Sequence, residues 1–189
     1  MDHNINFQKL NEFHLPDGFR GRPSVIVQIW WLIQDTLFRC SPQFMYGWRR
    51  FLLKSFGARI GEKVLIRPSV RVTFPWKVSI GDYSWIGDDV VLYSLGEIQI
   101  GTHTVISQKS YICTGNHDYS CRNFKILALP IKIGDQVWIA SDVFVAPGVT
   151  IGVGCIIGAR STVLHDLPPA KICFGNPAKP IKDRPLPKP

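Results

Sequence analysis

The sequence predicts an all-β fold: a parallel β-helix of hexapeptide repeats with an N-terminal helical cap and one protruding loop. Three observations carry this. Fifteen aliphatic residues recur in sets at a step of six: Ile60, Ile66, Val72; Ile80, Ile86, Leu92; Ile100, Ile106, Ile112; then Ile133, Ile139, Val145, Ile151, Ile157, Val163. Four residues after most of them stands a small or β-branched residue, such as Val64, Ser84, Thr104, Val137 or Cys155. One residue after many stands glycine, at 61, 81, 87, 101, 134, 152 and 158. Neither a helix (period 3.6) nor a single strand (period 2) has this grammar. Three short strands per triangular coil do, with coils stacked so that each buries its neighbour's apolar edge. The aliphatic residue is expected inside the prism. The glycine is expected in the turn, where a missing Cβ permits conformations that other residues avoid.

Taken in order, residues 1–23 read as irregular, with turn signals at Pro16-Asp17-Gly18 and Gly21-Arg22-Pro23. Their polar start reads as no secretory leader. Residues 25–40 are strongly apolar but interrupted by Gln28, Gln34 and Asp35, so they fall short of the ~18 apolar residues of a membrane span. A helix capping the open end of the prism is the expectation; a helix lying on a membrane surface is its rival. Residues 46–56 form a second helix, with Trp48, Phe51, Leu52 and Ser55/Phe56 expected on its inner side, and Gly57 ends it. The β-helix spans 59–168. Ile60, Ile80 and Ile100 are spaced by twenty, whereas Ile133 follows Ile100 by thirty-three. The extra residues make a loop, 115–130, at one corner. Residues 169–189 are expected as a Pro- and Lys-rich tail, mobile over 184–189.

The net charge is +8. The basic residues concentrate at 20–22, 49–63 and 171–188, not in one run, and a β-helix offers no element shaped for a major groove. Nucleic acid is therefore not an expected partner; the charge reads either as a solvated basic surface or as attraction to an anionic ligand or membrane face. The five cysteines are odd in number and form no CxxC pair, which points to a reducing compartment.

The chain resembles the hexapeptide-repeat acyltransferases, in particular the colanic acid biosynthesis acetyltransferases, with relatives acting on maltose, galactosides and nodulation factors. The resemblance covers nearly the whole chain and rests on WRRFLL at 48–53, FGA at 56–58, CTGNHDYS at 113–120, PIKIGDQVWIA at 130–140, PGVTIG at 147–152 and GNPAK at 175–179. It implies a left-handed coil, against the usual right-handed preference. It also implies a homotrimer with acetyl-CoA bound between prisms. The implied acceptor is a sugar hydroxyl, free or lipid-linked, of an exopolysaccharide, capsule or lipopolysaccharide precursor. The implied location is the cytoplasm, including the inner membrane face.

Acetyl transfer from a thioester to a hydroxyl needs a group to take the hydroxyl proton. Histidine, with a usual pKa of about 6.5, suits this near neutrality. His117, where the repeat gives way to the loop, is the expected base. Asp118 is a candidate to orient its ring, though a backbone carbonyl would serve, and Asp118 could instead form an Asx-turn. Asn116 and Trp138 are expected at the acceptor, with a mere covering of the prism face as the other reading of Trp138. The resemblance assigns Ala140, Ser141, Ala159, His165, Lys179 and Lys182 to the coenzyme, with a backbone N–H near Ala140 or Ser141 for the thioester oxygen. Leu164-His165 departs from the Thr-Lys pair common in relatives, which weakens the phosphate contact there. A cysteine nucleophile (Cys113 or Cys121) is a lesser reading. A zinc carbonic anhydrase would need a third histidine beside His103 and His117; residues 112 and 122 are Ile and Arg. No metal is expected. A non-catalytic scaffold stays as the second class of function. A nucleotidyltransferase would need a further domain before residue 59.

Overall fold

The computed structural model describes residues 7–187. The first six residues of the expected polar start (1–8) and the last two of the expected mobile end lie outside them. Five complete coils and a partial sixth stack along one axis. Each coil lays one short strand on each of three faces, here A, B and C in chain order.

Face A holds Arg59–Ile60, Val78–Ile80, Ile98–Ile100, Ile131–Ile133 and Thr150–Ile151. Face B holds Leu65–Ile66, Trp85–Ile86, Val105–Ile106, Trp138–Ile139, Ile156–Ile157 and Lys171–Gly175. Face C holds Arg71–Val72, Val91–Tyr93, Tyr111–Cys113, Phe144–Val145 and Thr162–Val163. Pairing is parallel and in register, as in Ile60↔Ile80, Ile80↔Ile100, Ile100↔Ile133 and Ile133↔Ile151. All fifteen periodic aliphatics are buried and pack into one continuous core. Burial at roughly 25 cal/mol per Å² makes this column the main source of cohesion between coils.

The small residues four positions on are buried as well, and the hydroxyls among them stitch the corners. The Ser84 Oγ donates to Gly101 O (2.7 Å) and accepts from Thr104 N (3.0 Å). The Thr104 Oγ1 repeats the pattern one coil on, donating to Gly134 O at 2.8 Å. Small size and a hydroxyl together satisfy backbone groups that the ladders leave out.

The glycines require a correction. Gly61, Gly81, Gly87, Gly101, Gly134, Gly152 and Gly158 do not hold the left-handed backbone conformation. That falls two residues later, on Lys63, Tyr83, Asp89, His103, Gln136, Gly154 and Arg160. The glycines are there because coils approach too closely. A Cβ on Gly81 would stand 2.7 Å from the carbonyl carbon of Gly101, and one on Gly87 2.8 Å from Gln108 N.

The N-terminal segment caps coil 1. Helix α1 (Ser24–Ile33) runs into a wider turn (Gln34–Phe38), and α2 is Tyr46–Ser55. Coil 1 has an open edge of unpaired backbone groups, and these segments supply its partners. Trp30 Nε1 donates to Val72 O (2.8 Å), Gln34 Oε1 accepts from Val72 N (2.6 Å), and Arg50 donates to Val64 O (2.9 Å). The inner side of α2 differs from expectation: Arg49, Leu52 and Leu53 are buried, and Phe51 is exposed. Arg49 is 0% exposed. It donates to Ile66 O (2.6 Å), Ser41 Oγ (2.8 Å), Pro42 O (2.9 Å) and Gln43 O (2.5 Å). Four acceptors let a guanidinium be buried with no carboxylate among them.

The expected loop is built on a hairpin, Gly115–His117 against Ile126–Ala128. The expected tail is also structured. Lys171–Gly175 adds a parallel rung to face B, and Ala178–Asp183 folds back antiparallel on it. Among the described residues, no helix is long and apolar enough to cross a membrane.

Candidate active site

The hairpin leaves the corner between faces C and A, at the level of coil 3. His117 is its last residue before the loop and is half-buried. Its ring stacks on Phe124, centroids 4.2 Å apart and planes 11° from parallel, with Phe13 at 6.3 Å. Its Nδ1 lies 2.8 Å from Phe124 O. A carbonyl oxygen only accepts, so Nδ1 carries a hydrogen; in the neutral ring Nε2 is then the nitrogen with the lone pair.

Asp118 has other partners. Its Oδ1 accepts from Ser120 N (2.9 Å) and Ser120 Oγ (2.5 Å), and its Oδ2 accepts from the Cys121 thiol (3.1 Å). These bonds, led by that from the Ser120 hydroxyl, hold its carboxyl below the usual range. The Asx-turn is what the structure contains, and the orienter of His117 is the Phe124 carbonyl. Asn116 is exposed, and its Oδ1 accepts from His117 N at 2.8 Å. Both cysteines are held as thiols. Burial pushes Cys113 up, and the hydrogen bond to Asp118 pushes Cys121 up. A thiolate nucleophile is disfavoured at each.

The remaining candidates lie elsewhere on the prism. Ala140 and Ser141 form the turn from face B to face C in coil 4, and Ala159 the same turn in coil 5. Ala140 N is occupied, donating to Ile157 O at 2.9 Å, which leaves Ser141 N as the candidate donor of the two. The Gly175–Ala178 turn sits on the same B–C edge in coil 6, where Gly175 N donates to Ser161 Oγ (3.2 Å). Lys179, opposite Phe174, is near that edge; Lys182, opposite Ile172, lies further across face B. Trp138 projects from face B beside Ala140, its Nε1 donating to Ser107 Oγ (3.1 Å). His165 is exposed at the C–A corner, apart from the lysines.

The candidates fall into two groups. His117 and Asn116 occupy the C–A corner, whereas Trp138, Ala140, Ser141, Ala159 and Lys179 occupy the B–C edge, one prism face away. Phe124, Phe13 and Arg49 were not singled out from sequence. The first two depend on loop conformation, which leaves no periodic signal. Among the described residues no group of three or more His, Cys, Asp or Glu is arranged to hold a metal.

Comparison with known proteins follows this geometry. Residues 130–165 match the model of the bacterial transferase hexapeptide (six repeats). The chain is 58% identical over 177 residues to a protein of Escherichia coli K12 named "Putative colanic acid biosynthesis acetyltransferase WcaF", covering 94% of this chain and 97% of the relative. It is 31% identical over 138 residues to the galactoside O-acetyltransferase of the same organism, covering 71% of this chain and 68% of the relative. Among solved structures, a hexapeptide-repeat acetyltransferase of Vibrio cholerae complexed with acetyl-CoA superposes with a TM-score of 0.80 at 25% identity, covering 94% of this chain and 96% of that one.

Proposed function

This chain belongs to the hexapeptide-repeat acetyltransferases, and from that premise we propose that it moves the acetyl group of acetyl-CoA to a sugar hydroxyl, with His117 as general base. The observation that carries the reading is the Phe124 carbonyl, 2.8 Å from Nδ1, which leaves Nε2 as an acceptor. In the proposed step Nε2 takes the hydroxyl proton as the oxygen attacks the thioester carbon. Ser141 N–H stabilises the charge gathering on the carbonyl oxygen. Collapse of the tetrahedral intermediate expels the coenzyme thiolate, which recovers a proton from the imidazolium. No covalent enzyme intermediate forms.

Face C of the prism lies between the two groups, which favours an active site completed by a second copy. A cyclic trimer that sets the C–A corner of one copy against the B–C edge of the next completes three sites at once. In it the coenzyme runs along coils 4 to 6 of that edge, past Trp138, Ser141 and Ala159 to Lys179 and Lys182. His165 can reach it from the copy that supplies His117. The relative named for colanic acid biosynthesis supports an exopolysaccharide precursor as acceptor, met in the cytoplasm. Exposed Val25, Leu32, Leu37 and Phe44 on the cap favour a peripheral contact with the inner membrane, where lipid-linked precursors are held.

The test is His117→Ala, assayed by acetyl-CoA consumption against nucleotide sugars and lipid-linked oligosaccharides. A loss of about 10²–10⁴-fold is expected, with coenzyme affinity and trimeric mass by light scattering retained. Activity within threefold of the parent would remove His117 from the base role; a monomer at micromolar concentration would remove the shared site.

A further inference from the structure

Residues 9–13 precede the helical cap in sequence, yet they lie against the loop that carries His117. Lys9 N donates to Arg122 O at 2.7 Å. Glu12 stands 3.9 Å from Arg122 Nε and 3.7 Å from Lys9 Nζ. The Phe13 ring lies 6.3 Å from that of His117, tilted by 56°. No residue of the short turn Leu10–Glu12 is buried, so core packing does not account for its place. The other end of this segment is fixed to the prism. Trp76 Nε1 donates to Arg20 O and Lys77 Nζ to Phe19 O, both at 2.7 Å. Trp76 and Lys77 sit in the C–A turn between coils 1 and 2, at the corner from which the hairpin later leaves. The segment is therefore a strap, held at both ends along that corner.

The loop has little else to hold it. Its bonds are local: Asp118 N to Lys125 O (2.8 Å), Cys121 N to Asp118 O (3.2 Å) and Phe124 N to Cys121 O (2.9 Å), with the Asp118 carboxylate on Ser120 and Cys121. Among the described residues, the bond from Lys9 N is the one hydrogen bond that joins 118–125 to a segment outside the hairpin and its loop. Its acceptor, Arg122, stands two residues before Phe124, whose carbonyl fixes the His117 ring. A loop that moves at Arg122 carries that carbonyl with it, and the imidazole is then free to turn.

We propose that the strap positions the catalytic base. The Lys9 N–H holds the turn that presents the Phe124 carbonyl, and the Phe13 ring limits the rotation of the imidazole. The Lys9 main chain and Phe13 are positioning groups, acting through His117. The exposed pairs of Glu12 contribute little. This rests on the reading of His117 as general base. Misplacement of a catalytic group by about 1 Å can cost about 10²-fold in rate; loss of one of these two restraints is expected to cost about tenfold in kcat.

Two pairs of variants test this on the intact protein. Lys9→Pro removes the N–H, whereas Lys9→Ala keeps it. Phe13→Ala removes the ring, whereas Phe13→Tyr keeps it. With acetyl-CoA and either p-nitrophenyl β-galactoside or maltose, Lys9→Pro and Phe13→Ala should lose about tenfold in kcat with both KM values within about twofold of the parent's. Lys9→Ala and Phe13→Tyr should match the parent. A second readout needs no acceptor: solid-state ¹⁵N NMR of histidine-labelled protein at about pH 8.5, two units above the usual histidine value. The His117 signals are those missing from His117→Ala. The parent should show the Nδ1–H tautomer alone, and Lys9→Pro and Phe13→Ala a mixture of both tautomers. A role confined to stability leaves the tautomer unchanged. If that pattern holds while His117→Ala keeps full activity, the base reading fails and the strap stands. A single tautomer in every variant, or kcat within about twofold of the parent's in Lys9→Pro and Phe13→Ala while His117→Ala is inactive, would overturn the proposal.

Discussion

Glycine in this β-helix has two roles, and Gly81→Ala set against Gly154→Ala separates them. At Gly81 the backbone is ordinary and space is the constraint. A new Cβ meets Gly101 C and Thr102 N at 2.7 Å and Gly101 O at 2.9 Å. Ordinary contact begins near 3.4 Å, so coils 2 and 3 must part locally by more than half an ångström. That strains the Gly81 N–H bond to Ile100 O (2.8 Å) and the Ser84 Oγ bond to Gly101 O (2.7 Å). Overpacking costs about 1–3 kcal/mol, and each weakened bond adds about 0.5–1.5 kcal/mol. Gly81→Ala should therefore cost about 2–6 kcal/mol. At Gly154 the constraint reverses: φ is +71°, and the nearest atom to a built Cβ is Ala170 Cα at 3.9 Å. The left-handed conformation costs an L-residue roughly 1–2 kcal/mol, partly offset by about 0.4–1 kcal/mol of lost freedom in the unfolded chain. Gly154→Ala should cost about 0–1.6 kcal/mol. Urea unfolding of both variants and the parent, followed by tryptophan fluorescence at one protein concentration, gives the order. Equal midpoints for the two variants, or the larger loss at Gly154, would refute the close-approach argument.

Replacing Cys113 with Ala and Cys121 with Ser should leave kcat within about threefold, because burial and the Asp118 bond keep both as thiols; a loss comparable to that of His117→Ala would revive a covalent route. Lys179→Ala should raise the KM for acetyl-CoA, leave that for the acceptor alone and flatten the salt dependence of coenzyme binding. Lys182→Ala, further from the B–C edge, should do the same more weakly; calorimetry at low salt that finds both unchanged moves the phosphates to Arg160 or His165.

The aliphatic rhythm was legible in sequence because each of its fifteen positions does one thing: it points inward and meets its equivalent in the next coil. Handedness entered only through the resemblance, since spacing is the same for either hand. The misreadings share a cause. The inner side expected for α2 leaves out the charged Arg49; acceptors at Ser41, Pro42 and Gln43 just before the helix and at Ile66 beyond it make its burial tolerable, and none of them is visible from a helical wheel. Asp118 was considered for His117 because they are adjacent, yet the loop turns its carboxylate to Ser120 and Cys121. Residues 171–183 were read as a tail because Pro and Lys dilute the strand pattern. Trp85 precedes Ile86 as Trp138 precedes Ile139, so both indoles share one outward phase of the repeat.

The corner residues in the left-handed conformation bear on how such a protein diversifies. Lys63, Tyr83, His103 and Gln136 share one phase of the A–B turns, and Asp89, Lys109, Asp142 and Arg160 the corresponding phase of the B–C turns. Their side-chain chemistries have little in common. The backbone cost of the turn is met coil by coil whatever the side chain, and each of these eight groups projects from a corner. Drift at these sites changes the surface and leaves the core untouched. A lineage could trade one acceptor for another along such columns with every intermediate still folded. This separates the evolution of specificity from that of stability by geometry alone.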